Sequence, residues 1–552
     1  MNASDKSSDN YDLIIAGSGA AGLSAAISAA RNGLRAVVLE KEPLWGGVTC
    51  YSGGVLWTPA HHLMLADGLR DSEEQALAYM ERVIGDAGPA SSLARRRAFV
   101  GNAARIVKQL EEEGVKWSYQ RGFHDYYSEE TGASDCRGVG AKVFDGKKLG
   151  QWLNTMRRSA AYPPVAVAAD EMIPILTPLT HPGTMARVVM RTLWWHLCRR
   201  VPLTVGQSLA AQMMMVAQRH GIDVKLNTPV TDLIVENNKV VGVVTQHNGQ
   251  AIRLRARAGV MLCAGGFAQN NAFRRRYQKV GADFSAAVNP GDTGDLIQLG
   301  MAHGAATALM EAAWGMATVI LPGGEARMLL WERCLPHSII VDTSGKRYMN
   351  EAQSYNDVGR LMLEHGAPET PSWIILDARH RRRYPFLTFL GGMTPKKMID
   401  AGFFIKANSV SELAQKCGID ATNLQATIAR FNAQAKLGID QDFGRGNTRF
   451  DRVWGDTKVK PNPNLGAIEQ APFWAVRVYP GDLGTKGGLL TDEHARVLRE
   501  DGSVIEGLYA SGNTTASVMG RSYPGPGSTL GPATVFGWLA AEHAALLIAK
   551  DG

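Results

Sequence analysis

Residues 521–531, RSYPGPGSTLG, gather one tyrosine, two prolines and three glycines near the end of the chain. Proline fixes φ, so the backbone carrying Tyr523 and Gly527 is stiff. A phenol O–H and a glycine N–H held still in this way are preset donors for a developing oxyanion. Glycine at 527 also leaves room for a flat ring. Near the other end, GSGAAG places Gly17, Gly19 and Gly22 in GxGxxG spacing, and Glu40 follows 18 residues after the last of them. That pattern binds a dinucleotide only if a strand precedes it and a helix follows. YDLIIAGSGAAGLSAAISAARNGLRAVVLEKE meets the condition, with an apolar strand at Leu13 to Ala16, a small-residue helix to about Arg31 and a second strand ending at Glu40. Gly17 permits the turn, Gly19 lets the backbone approach a pyrophosphate at the helix N-terminus, and Gly22 lets helix and strand pack closely. Glu40 suits a ribose hydroxyl pair and would repel the 2′-phosphate of NADP, which leaves FAD or NAD.

The following residues decide between the two. KEPLWGGVTCYSGGVLW carries Gly46, Gly47, Gly53 and Gly54 directly after the carboxylate, where an NAD domain continues with an ordinary helix. Backbone this bare suits close approach to a bulky flat group. GIDVKLNTPVTDLIVENNKVVGVVT alternates like antiparallel strands, AGVMLCAGGFAQN sets a buried strand before Ala264, Gly265 and Gly266, and GLYASGNTTAS runs a short strand into Gly512 and Asn513. Three separated pieces in this order match a flavoprotein whose FAD domain is interrupted by a substrate domain. The expected cofactor contacts are Gly17, Ser18, Gly19, Ala20, Ala21, Gly22, Glu40, Lys41, Gly46, Gly47, Val48, Thr49, Ser52, Gly53, Gly54, Val230, Ala264, Gly265, Asp295, Gly512, Asn513, Ser528, Thr529 and Leu530. No histidine lies between Glu40 and Gly54, so the FAD is expected to be held without a covalent histidyl link.

With GSGAAG, GGVTCYSGG, HDYY, KRYMNEAQSYNDVGR, YPGDLGTKGGL and YPGPGSTLGP, the chain resembles the flavoproteins that include succinate dehydrogenase and fumarate reductase. Within them it is most similar to the 3-ketosteroid Δ1-dehydrogenases, over about Asp12 to Ala541. The resemblance implies an α/β fold, a Rossmann-like FAD-binding domain with an inserted smaller α+β catalytic domain. It implies oxidation of a 3-ketosteroid A ring, with proton abstraction at C2 and hydride transfer from C1 to flavin N5, and an external electron acceptor, either a quinone or a redox protein. Carried over residue by residue, it makes Tyr523 and the Gly527 N–H the polarising donors at the C3 carbonyl, Tyr355 the base and Tyr126 its partner. Tyr127, the second ring of the YY pair, is the alternative to Tyr126. A related Δ4-(5α)-dehydrogenase shares fold and flavin. A fumarate reductase-like enzyme would need arginine and histidine clamps for two carboxylates, and the neutral SYPGPGSTLG does not supply them.

The elements that must position these residues divide at 8–304 (first FAD segment, with an insertion at about 143–203), 305–474 (catalytic domain) and 475–552 (final FAD segment). Asp295 opens a helix in NPGDTGDLIQLGMAHGA, and after about Thr307 the chain becomes aromatic and Met-rich. The insertion ends in MARVVMRTLWWHLCRRVP, whose apolar and basic residues read either as an amphipathic segment touching a membrane or as a packed helix with a basic end. With 45% apolar and 20% charged residues and a net charge of +7, the 552-residue chain is globular, and its scattered Lys and Arg give no nucleic-acid footprint. Six widely spaced cysteines point to reduced thiols, with neither a disulfide framework nor a metal site. The polar start MNASDKSSDN lacks the apolar core of a secretory signal, and no run of about 18 uninterrupted apolar residues suggests a membrane span. These features point to the cytoplasm, with peripheral membrane association as the alternative.

Overall fold

The computed structural model describes residues 10–159, 165–247 and 249–551. Two sheets organise it. The first runs in the order Arg496–Leu498, Val504–Ala510, Gln250–Leu262, Asn10–Ala16, Ala36–Leu39, Asp223–Lys225, with Lys239–His247 and Val230–Glu236 extending antiparallel from Gln250–Leu262. Its central strands are parallel. Strands covered on both faces need continuous apolar runs, and Leu13, Ile14 and Ile15 are fully buried.

The helix Ala20–Arg31 packs between this sheet and the helix Leu530–Asp551, which closes the chain. Ser24 and Ser28 donate to the Thr534 and Trp538 carbonyls of that closing helix. Close approach depends on Gly22, where a Cβ would stand 1.9 Å from the Gly17 carbonyl oxygen. Leu530–Ala549 is long and apolar enough to cross a membrane, which uninterrupted apolar runs did not reveal. Its packing on Ala20–Arg31 explains the composition: this is a core helix.

The second sheet is antiparallel, in the order Ala326–Met328, Ala313–Ile320, Phe473–Thr485, Ser372–Leu376, Ser338–Val341, with Ile405–Ala407 also paired to Phe473–Thr485. The helix Tyr355–His365 lies against Ala313–Ile320. The edge expected at 474/475 falls inside the strand Phe473–Thr485, which pairs within this sheet over 473–482 and at Thr485. The chain instead leaves and regains the first layer through the pair Thr307–Ala308 and Gly488–Leu489. The segment 143–203 is bracketed in the same way by Phe144–Asp145 paired with Pro202–Leu203. Of that insertion, 160–164 lie outside the described residues, as does 1–9 of the polar start.

Candidate active site

A cavity of about 1150 Å³ begins at the turn Gly17–Ala21, passes Glu40 and Lys41 and reaches Tyr126, Tyr355 and Tyr523. At the first end, the helix Ala20–Arg31 has an extended Gly19 before it and no acidic residue in its first turn, and its Ala20 N–H donates to Thr49 Oγ1 at 3.0 Å. A helix start attracts an anion. Beyond it the wall is bare: a Cβ at Gly19 would come no nearer than 3.5 Å to another group, and at Gly53 it would meet nothing within 4 Å. Glu40 is buried and fixed by the Ser18 N–H at 3.1 Å and the Ser18 hydroxyl at 2.6 Å. Each carboxylate oxygen has two lone pairs, so acceptor capacity remains for a ribose. Lys41 bonds Thr293 at 2.7 Å and Asp295 at 2.5 Å on the rim. A helix start free of acidic residues, a fixed carboxylate and a glycine-lined wall fit FAD.

Most of the expected cofactor set lines this cavity: Gly17, Ser18, Gly19, Ala20, Ala21, Glu40, Lys41, Gly47, Val48, Thr49, Ser52, Gly53, Gly54, Val230, Ala264, Gly265, Asp295, Gly512, Asn513, Thr529 and Leu530. Three members stand behind the wall. Gly22 packs on Gly17. Gly46 takes φ +103° and donates its N–H to Ser18 Oγ at 2.9 Å. Ser528 is turned into its own loop, accepting the Gly525 N–H at 3.0 Å and donating to the Gly525 carbonyl at 2.7 Å. Each is held by a different contact: packing on the turn at Gly22, the Ser18 hydroxyl at Gly46 and the Gly525 backbone at Ser528. The sequence reading passed over Asp292, which lines the cavity and whose carboxyl burial pushes up to about 7. The first aspartate of NPGDTGD was the available signal.

At the far end three phenols share one cluster. Tyr126 and Tyr355 meet edge to face at 5.3 Å, Tyr126 and Tyr523 stack at 5.3 Å, and Tyr355 and Tyr523 lie at 4.8 Å. The Tyr355 ring thus touches both of the other phenol rings. Thr529 Oγ1 donates to the Tyr523 hydroxyl at 3.4 Å, and Gly527 lines the same end of the cavity. Burial raises the pKa of all three phenols, and both neighbouring phenols raise that of Tyr355 further. The structure thus brings Tyr126 into ring contact with Tyr355 and Tyr523, while the Tyr127 hydroxyl turns to Asp357 at 3.3 Å. Around the phenols the cavity is apolar, walled by Phe123, Met316, Trp454, Leu483 and Pro526.

The loop bearing Tyr523 is pinned from several sides. Gly527 has φ +94°, and a Cβ there would fall 2.4 Å from the Trp57 nitrogen. The Pro524 carbonyl accepts from the Tyr126 N–H at 2.9 Å and from the Tyr79 hydroxyl at 2.7 Å. Beside it, Asp125 accepts from Trp57 Nε1 at 2.7 Å and from Arg137 at 2.6 Å. These supports are isolated residues with no spacing to mark them, which is why the sequence did not disclose them.

A nucleotide cradle leading to a phenol-lined apolar chamber defines a flavin-dependent oxidoreductase. The FAD binding domain family model matches residues 12–530. The 3-oxosteroid 1-dehydrogenases of Mycolicibacterium smegmatis and Mycobacterium tuberculosis are each 39% identical to this chain, over 96% of both chains for the first and over 97% of this chain and 98% of the other for the second. The solved structure of the 3-ketosteroid Δ1-dehydrogenase of Sterolibacterium denitrificans, in complex with 1,4-androstadiene-3,17-dione, is 35% identical, with a TM-score of 0.90 over 98% of this chain and 100% of that one. The chain belongs to the 3-oxosteroid 1-dehydrogenase family of FAD-binding flavoproteins.

Proposed function

We propose that the protein introduces the C1–C2 double bond into the A ring of a 3-ketosteroid. The observation that carries this reading is the convergence of three phenols and the Gly527 N–H at the apolar end of a cavity whose other end suits FAD. The C3 carbonyl accepts from the Tyr523 hydroxyl and the Gly527 N–H, which acidifies the C2 protons. Tyr355 takes a C2 proton as its phenolate, and the electron pair of that C–H bond enters the developing enolate. The Tyr126 hydroxyl, whose ring packs edge to face on Tyr355, stabilises the phenolate. FAD, when bound, accepts the hydride that leaves C1, and the C1–C2 double bond forms as it departs. The residues at the cavity's other end would hold FAD non-covalently, and a quinone or a redox protein would be the external electron acceptor. The test is anaerobic mixing of the yellow protein with 3-ketosteroids, 3-keto-5α-steroids and dicarboxylates, following the flavin band near about 450 nm. Bleaching by 3-ketosteroids with release of the 1,2-dehydro product supports the reading; bleaching by dicarboxylates alone overturns it.

The same cavity supports peripheral membrane contact, with the protein otherwise cytoplasmic. Val189, on the helix Pro182–Leu197, and Leu390 both line the cavity and are themselves 48% and 62% exposed, so they sit at its mouth. Along that helix Met190, Leu193, Trp194 and Leu197 are exposed, with Arg187 and Arg199 beside them and Arg200 over the Trp194 ring at 4.7 Å. Exposed leucine and tryptophan with flanking arginines suit an anionic lipid interface. A lipid-like substrate would reach the phenols from that interface.

A further inference from the structure

Segments that carry the family resemblance are linked around one buried lysine. Lys486, from YPGDLGTKGGL, is 1% exposed, and its Nζ donates to the Arg521 and Ser522 carbonyls at 2.7 Å each. It also stands 4.5 Å from the centre of the Trp314 ring, which in turn lies edge to face with Tyr523 at 5.3 Å. Those two carbonyls belong to the residues immediately before Tyr523. Asn356, the residue after Tyr355, donates to the same Arg521 carbonyl at 3.1 Å. Tyr127, the residue after Tyr126, donates its hydroxyl to Asp357 at 3.3 Å and accepts from Ser522 Oγ at 3.3 Å. Every segment that carries a phenol of the cluster is therefore tied, through the residue beside that phenol, to the stretch Lys486 holds.

We propose that Lys486 is a positioning residue that fixes the Tyr523 loop relative to Tyr355 and Tyr126. The proposal rests on the reading of these tyrosines as the reacting groups. Burying an amine is unfavourable unless its donors are satisfied, and here two carbonyls and an aromatic face satisfy it. Burial pushes its pKa well down, and either protonation state still supplies two N–H groups to the carbonyls. An apolar side chain of this length would fill the same space without that burden, so the amine is kept for where it aims the loop. Without it both carbonyls lose a donor, and the Tyr523 hydroxyl and Gly527 N–H shift relative to Tyr355. Misplacement by an ångström slows a reaction about 10²-fold.

A double-mutant cycle on flavin reduction separates positioning from mere support. Wild type, Lys486→Met, Tyr523→Phe and the double variant are mixed anaerobically with saturating 3-ketosteroid, and flavin content is measured alongside. Lys486→Met is expected to keep its FAD while the limiting reduction rate falls about ten- to a hundredfold. Tyr523→Phe should then slow Lys486→Met by a much smaller factor than it slows wild type, because the displaced phenol has already lost its contact. Multiplicative effects would overturn the proposal, since a residue that only supports the fold has no coupling to one hydroxyl. If Lys486→Met yields no folded holoenzyme, the same cycle with Asn356→Ala, which removes the other donor to Arg521, applies the same criterion. A wild-type flavin that no 3-ketosteroid reduces overturns the underlying reading as well.

Discussion

Tyr355 combines two demands that oppose each other. Its burial among phenols raises its pKa well above the ordinary 10.0, yet a base must be ionised to accept the C2 proton. The ionised fraction therefore grows with pH across the whole neutral range, and kcat/KM is expected to rise from pH 6 to pH 9. Tyr355→Phe should still bind ketosteroid, as seen by perturbation of the flavin spectrum, but lose the pH-dependent limb and the exchange of C2 deuterium with solvent. Tyr523→Phe should weaken binding and slow reduction together, by about 10² to 10³, the range found when one oxyanion donor is removed. Tyr126→Phe should be the mildest of the three. Retention of wild-type C2 exchange by Tyr355→Phe would move the base to another residue.

The mouth of the cavity is built by the helix Pro182–Leu197 and the loop around Leu387 to Leu390. Glu332 holds that loop: its Oε1 accepts the Leu387 N–H at 2.8 Å, and burial pushes its carboxyl up to about 7. Arg381 is the nearby cation, pushed down to about 10 by its own burial, and the buried His380 ring faces the Glu332 carbonyl. A carboxyl whose pKa is raised on folding stabilises fully below its unfolded value of 4.5, and that contribution is lost as pH climbs through about 7. Glu332→Gln keeps an acceptor but cannot ionise. Its thermal midpoint should match wild type at pH 5 and exceed it at pH 8.5, by up to about 3 kcal/mol of stability. On the outer face of the mouth, Leu193→Asp with Leu197→Asp should abolish cosedimentation with anionic vesicles while leaving turnover of detergent-solubilised steroid unchanged. Equal vesicle binding by that variant would remove the membrane contact from the reading.

Both sheets contribute to the wall of the cavity, which draws on residues from Ala16 to Ala533. A ligand that binds only the folded chain stabilises it by mass action, about 2.7 kcal/mol at a hundredfold excess over Kd. FAD removal should therefore lower the thermal midpoint, and added FAD should restore it in proportion to the logarithm of its concentration. Glu40→Gln should shift that curve to higher FAD, consistent with loss of a charge-assisted hydrogen bond of about 1.5 to 3 kcal/mol. A midpoint indifferent to FAD would mean that the cofactor does not bind the folded cavity as described. What the sequence determined by itself is local: the strand, turn and helix of GSGAAG, the carboxylate at Glu40 and the stiff loop of YPGPG are set by backbone rules acting over a few residues. The resemblance of whole motifs added the three tyrosines. Tertiary structure decided the rest, because it depends on pairing across hundreds of residues. It made Phe473–Thr485 one strand across the expected domain edge, turned Tyr126 inward and Tyr127 toward Asp357, and sent Ser528 back into its own loop. It also buried Lys486, an ordinary lysine by sequence, between two carbonyls and a tryptophan, since only the packed chain determines which amine is shut off from water and where its donors must point.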